Sequence, residues 1–282
     1  ISSNTHVGNA TDTFVVTITA QVRRAPIITS GLDGSAQVMT GEDLSLSGGS
    51  WIAGDLLLPG TPTVMKSGGA NYLGQLEGPG SATPNNYAVR LSGGAVMHRI
   101  VHHVDPLTLP VVPTPALPTG TRNITLSSPY QTAGDFGTVR NLTLSGNVGA
   151  VAVPPGNYGT FVASGSSAFV FGTAGATEPA IYELRGLTVN TQVQVIGPVV
   201  LVVAGDVVVN GSGILGAAAD PSLLTLMIAH GDLKAGGATK IYGEVVVPNG
   251  KISLSVSATL RGTVVADQLS ITGGALLEDP EL

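Results

Sequence analysis

The stretch Ile241–Leu277 constrains this chain most, because it comes close to repeating itself. Ile241-Tyr-Gly243 returns as Leu260-Arg-Gly262, an offset of 19 residues, and Val245-Val246 then falls on Val264-Val265. Ser253-Leu254-Ser255 matches Ser270-Ile271-Thr272 at an offset of 17. A drifting repeat of alternating aliphatic residues, broken by glycine, reads as successive coils of a β-solenoid. The same unit, apolar-x-apolar-x-Gly-small, occurs at Leu44, Val89, Leu142, Val207, Leu233 and Leu269. Two inward aliphatics make a short strand, and the glycine turns the corner, where a positive φ and the missing Cβ both help stacking. A lone coil cannot bury its apolar side, so neighbours must stack on it. The expected fold is all-β: a single-stranded parallel β-helix (β-solenoid), taken as right-handed, with an extended N-terminal strand segment.

Composition agrees with a stack that hides extra surface. Charged residues are only 11% of the 282, against about a quarter in an average domain, and hydrophobic residues are 43%. A net charge of −6 argues against a nucleic-acid groove. The absence of cysteine excludes disulfides, thiolate metal sites and a cysteine nucleophile. No apolar run approaches the roughly 20 residues that span a bilayer, so no membrane insertion is expected. The chain starts at Ile1 and not at Met, which fits a processed protein or a fragment. Few charges, no cysteine and abundant Thr, Ser, Gly, Asn and Val suit a secreted, cell-surface setting.

Residues 1–25 stand apart from residues 26–282. Thr11–Val22 alternates with Phe14, Val16 and Ile18 on one face. This segment resembles the last strand of a bacterial cadherin-like or immunoglobulin-like repeat. One strand cannot bury its own apolar face. Three readings stand: the tail of an upstream module, a strand donated to a neighbouring subunit, or a cover for this chain's own end. Asp105–Thr119 carries prolines at 106, 110, 113, 115 and 118, which predicts an extended polyproline-like crossing and a subdivision near 105–120. Asp220–His230 fits a buried strand as well as a helix.

A specific order of motifs follows: Pro155-Gly-Asn-Tyr-Gly159, Ile196–Asp206, Tyr242–Asn249, Arg261–Asp267 and Leu269–Ala275. Over roughly residues 150–282 the chain resembles a family of bacterial extracellular β-helix domains associated with pilus and adhesin genes. That resemblance implies the fold and an extracellular setting, and it supplies no catalytic residues.

The search for chemistry returns few candidates. The histidine cluster Met97–Asp105 would place His98 and His102 on one strand face and His103 and Asp105 on the other, so neither face has the three ligands of a zinc site. The scattered aspartates, among them Asp55, Asp135, Asp206 and Asp232, suit turns and corners. No glycine-rich stretch ends as a phosphate loop. Trp51 and Tyr242 could stack sugars, but they sit in or near core positions, and burial or corner packing is the expectation. No catalytic, cofactor-binding or metal-binding residue is therefore nominated. The reading is a non-catalytic extracellular structural protein that polymerises with itself into a surface filament or biofilm-matrix fibre. Phe14, Val16 and Ile18 would form the assembly strand, and Leu276 and Leu277 an open solenoid end. A monomeric adhesin module binding a glycan or surface protein, and a polysaccharide-active enzyme, are the alternatives.

Overall fold

A computed structural model describes residues 36–37, 44–52, 55–57, 60–81, 88–105 and 110–278. The proposed assembly strand, with Phe14, Val16 and Ile18, lies outside the described residues. The described chain is all-β and its strands pair in parallel.

From Val139 onward the chain visits three faces in rotation, called the first, second and third sheets, of which the first and third are joined through the long strand Glu244–Ser255. Val139–Leu144 lies in the first, Gly149–Ala152 in the second and Gly156–Asn157 in the third. Thr160–Ala163, Ser167–Phe171 and Ala180–Leu184 repeat the circuit one level higher. Each circuit is called a rung here. In the first sheet the register runs from Leu142 to Phe161, Leu187, Val207, Leu233, Ile252 and Leu269, a spacing that drifts between 17 and 26 residues. Longer spacings are absorbed at corners, so the inward column stays continuous. Within strands burial alternates with period two, as in Gln192–Val195, where Val193 and Val195 point inward. The repeat that opened the sequence reading is one such step: Ile241 pairs with Leu260, and Leu260 with Leu277.

The core changes character along the stack. Near the Arg122 end it is aromatic, with Tyr158, Phe161, Phe169, Phe171 and Tyr182 stacked at centroid distances from 4.4 to 6.1 Å. The Tyr182 hydroxyl donates to the Val153 carbonyl at 2.9 Å and accepts from the Gly172 N–H at 2.9 Å, so its buried polar atom is satisfied. Higher up the core is Val, Ile and Leu. Beyond the last aromatic rung, the irregular residues 127–138 close the lower end. The Arg122 guanidinium holds them, donating to the carbonyls of Ala133 (3.0 Å) and Asp135 (2.7 Å) and to Thr138 Oγ1 (2.6 Å).

The opposite end departs from the sequence reading. Leu276–Leu277 is not an open edge. Its strand is flanked by Thr259–Arg261 on one side and by Trp51–Ile52 on the other, and Leu277 is fully buried. In the first sheet Leu46 likewise pairs with Ile271. The reason is local: Leu44–Gly49 and Leu269–Gly274 are copies of one strand-and-corner unit, so the earlier segment supplies the next rung. Gly48 (φ +67) sits directly on Gly273 (φ +64) at the shared corner, and a Cβ on Gly48 would lie 3.0 Å from the Gly273 nitrogen. Two more rungs follow out of chain order. Ala88–Leu91 pairs with Leu44–Leu46, and Thr63–Lys66 is outermost, paired with Ala88–Leu91. Among the described residues the stack therefore ends with the rung of residues 63–77 and not with the C-terminal one.

This order requires a return path, and the proline-rich segment provides it. Residues 110–121 form no strand or helix and lead to Arg122 at the far end. About nine strand spacings of ~4.8 Å separate the two levels, roughly 43 Å, and some 19 residues of polyproline-like chain reach roughly 58 Å. Thr114 Oγ1 lies 2.6 Å from His230 Nε2, and Asn157 Nδ2 donates to the Ala116 carbonyl, which lays the crossing over the third sheet. Val112 and Pro115 are buried in it. Val202, Val246 and Val265 point away from the rung interior by alternation, yet each is buried. Burial on both faces is why these strands read as unbroken valine runs. The crossing connects the rung of residues 88–102 to Arg122 at the far end of the stack.

Candidate functional site

A ladder of mixed side chains stands on the outer side of the second sheet. Register places Gln192, Ile214, Lys240, Thr259, Leu276 and Trp51 in one outward column. The neighbouring column carries Gln194, Tyr242, Arg261 and Glu278. Their strands alternate as the fold demands: Val193, Leu215, Ile241, Leu260, Leu277 and Ile52 are the buried partners.

Trp51 and Tyr242 correct the sequence reading, which assigned them to the core. Both are half-buried on the outer side, because Ile52 and Ile241 take the inward positions. The signal was present in the repeat: once Ile241 and Leu260 are inward, Tyr242 and Arg261 must point out.

At the level of residues 192–242 the ladder is concave. A cleft of about 300 Å³ is bounded by Gln192, Gln194, Ile214, Lys240 and Tyr242. A second, also about 300 Å³, continues towards the lower rungs, where Ala150, Ser166, Ala168 and Thr191 line it, and it shares both glutamines. Gln194 Nε2 donates to Gln192 Oε1 at 3.0 Å, so the two amides form one hydrogen-bonding edge. An aromatic face, two amides and a lysine beside a floor of alanine and serine offer stacking and hydrogen bonding.

The groups with perturbed ionisation lie elsewhere. Burial pushes the Tyr158 hydroxyl up to about 12, with a smaller contribution from Tyr182. Asp206 is held below the ordinary carboxylate range by a 2.7 Å hydrogen bond from Lys234 and a further one from the Asp232 N–H. Burial raises the carboxyl of Glu244, partly offset by a hydrogen bond from Thr225. Asp206 and Asp232 act as corner pieces: each accepts the backbone N–H of the next level, from Asp232 and Lys251.

The structure separates the residues nominated from sequence. Leu276 is in the outward column beneath Trp51, and Leu277 is in the core. His98 precedes the strand Arg99–His102 and is exposed, so it does not share a strand face with His102. Among the described residues, no helix is long and apolar enough to cross a membrane. The chain matches no family model, no curated protein and no solved structure.

Proposed function

We propose that the chain is a parallel β-solenoid that serves as a non-catalytic, extracellular surface module and binds an extended glycan along one flank. The observation that carries this reading is the outward ladder of the second sheet, with Tyr242 and, three levels further along, Trp51 as stacking faces, Lys240 beside Tyr242, and Gln192 and Gln194 on the lower rungs as hydrogen-bonding groups. Strands repeat every ~4.8 Å along the stack, so such a flank presents outward side chains at regular intervals along the path of an extended ligand. The flat, open cleft suits a polymer lying across it better than a small molecule enclosed on all sides. The extracellular setting is supported by the absence of cysteine and the low charge content.

The test is retardation of the protein in native gels cast with neutral and with acidic polysaccharides, followed by titration with oligosaccharides of the retarding type. Trp51→Ala or Tyr242→Ala should weaken binding about tenfold, roughly 1.4 kcal/mol. Mobility unchanged in every polysaccharide overturns the reading.

A second reading, self-assembly into a filament, is favoured by a different observation. The rung of residues 63–77 is paired on one side only among the described residues, and it exposes Met65 (42%), Leu73 (65%) and Leu76 (45%). Sheet edges of this kind invite pairing with another chain. Negative-stain images decide this: fibres support it, and isolated short rods contradict it.

A further inference from the structure

Glu77 ends the strand Gly74–Glu77 of the outermost rung, and its register partner on the rung beneath is His102. The next residue, His103, has φ +57. That left-handed turn breaks the alternation that would send His102 and His103 to opposite faces. Both rings consequently meet the Glu77 carboxylate, and one ligand atom from each of the three residues lies within 4.8 Å of the others.

The separations discriminate between two roles. Glu77 Oε2 is 3.7 Å from His102 Nδ1, and Oε1 is 3.7 Å from His103 Nε2. Both exceed the 2.7–3.2 Å of a hydrogen bond. They lie near the edge of a coordination tetrahedron: with metal–ligand bonds of about 2.0–2.1 Å, neighbouring ligands are about 3.4 Å apart. His102 is only 14% exposed at its side chain, so its Nδ1 is held facing the carboxylate. The Glu77 carboxylate, His102 Nδ1 and His103 Nε2 converge on one point, where a single cation contacts all three.

We propose that Glu77, His102 and His103 bind one divalent transition-metal ion, zinc by the nature of the ligands. Water completes the coordination. His103 Nε2 also lies 3.1 Å from Thr61 Oγ1, and the ion replaces that hydrogen bond. The site joins the outermost rung to the point where the chain leaves the stack for the crossing, so the ion acts as a clip on an edge that is otherwise paired on one side. This proposal does not depend on the glycan reading.

The experiment uses the whole chain after chelator treatment and dialysis. Calorimetric titration with Zn²⁺ and visible absorption with Co²⁺ should both give one ion per chain, and Zn²⁺ should slow amide exchange over residues 74–77 and 99–103. Glu77→Gln, at an exposed position that does not disturb folding, should weaken binding at least tenfold, as should His102→Asn and His103→Asn. His98→Ala and His230→Ala should bind as the unaltered protein does. Because ligand histidines must be neutral, affinity should fall on acidification. No saturable binding, or Glu77→Gln and both histidine variants binding as the unaltered protein, overturns the assignment.

Discussion

Residues 139–278 and residues 44–102 are built from the same strand-and-glycine unit, yet only the first set stacks in the order in which it is written. In the later region each rung rests on the one before it in sequence. In the earlier region the order outward is 44–57, 88–102 and 63–77, and the lowest of these rests on the C-terminal rung. Contacts in the later region are closed by short loops. Those between Trp51–Ile52 and Leu276–Leu277 tie together segments more than two hundred residues apart. A parallel stack is indifferent to this difference, because an edge accepts any strand whose inward residues and corners match it. The price is the return crossing, whose Thr114 and Ala116 meet His230 and Asn157 on the third sheet.

The largest effects should come from the two cores. Phe169→Ala, in the regular region, should cost about 3–5 kcal/mol in denaturant unfolding. Ile52→Ala and Leu277→Ala should each cost about 2–5 kcal/mol. Because the two are register partners, their double variant should deviate from additivity by about 0.5–3 kcal/mol, whereas Ile52→Ala combined with Phe169→Ala should be additive. Additivity between positions 52 and 277 would break the comparison at its root.

Corners give a smaller effect of either sign. Gly262 has φ +148, and a Cβ there would collide with the Gly243 carbonyl one rung below, so Gly262→Ala should cost about 1–3 kcal/mol from backbone strain alone. The corner column that holds Gly48, Gly93 and Gly273 contains Val256 (φ +52) at the level beneath Gly273. A β-branched residue is strained in that conformation. Val256→Gly should therefore stabilise the protein by about 1 kcal/mol, the relief of about 1–3 kcal/mol exceeding the glycine entropy cost of about 0.5–1. Thermal unfolding measures both.

The corner ladder at Asp206 should have the smallest effect. Its carboxyl is depressed in the folded state, so its contribution is present above the unfolded carboxylate range and is lost as pH falls through the folded value. The side chain is half exposed, which limits the effect of Asp206→Asn to about 1 kcal/mol at pH 7. The difference between the two proteins should shrink as pH falls through the folded value of Asp206.

Which features were legible in the sequence follows the same division. The step from Ile241 to Leu260 to Leu277 could be read because period-two burial and corner glycines recur there at nearly constant spacing. The position of Leu44–Gly49 on Leu269–Gly274 could not, because Leu44, Val89, Leu142 and Leu269 begin near-identical units and nothing local selects a neighbour. The valine runs at 199–203 and 245–247 read as ordinary core, since alternation alone does not show that Val202 and Val246 are buried on the outer side as well. Glu77 could not be joined to His102 for a related reason: their pairing spans a loop of unpredictable length, and the turn at His103 is a matter of φ and not of composition.

Closure of the C-terminal rung by the chain's own N-terminal rung can be tested with one engineered bond. The protein has no cysteine, so Trp51→Cys with Leu276→Cys creates a single pair. These are register partners on adjacent strands, and a spacing of ~4.8 Å lies within the Cα range of about 4.4–6.8 Å for a disulfide. After oxidation, mass spectrometry and non-reducing electrophoresis should show a 51–276 link within one chain, migrating as a monomer. Disulfide-linked dimers or longer ladders, or no link at all, would contradict the account and return Leu276 and Leu277 to the role of an open end.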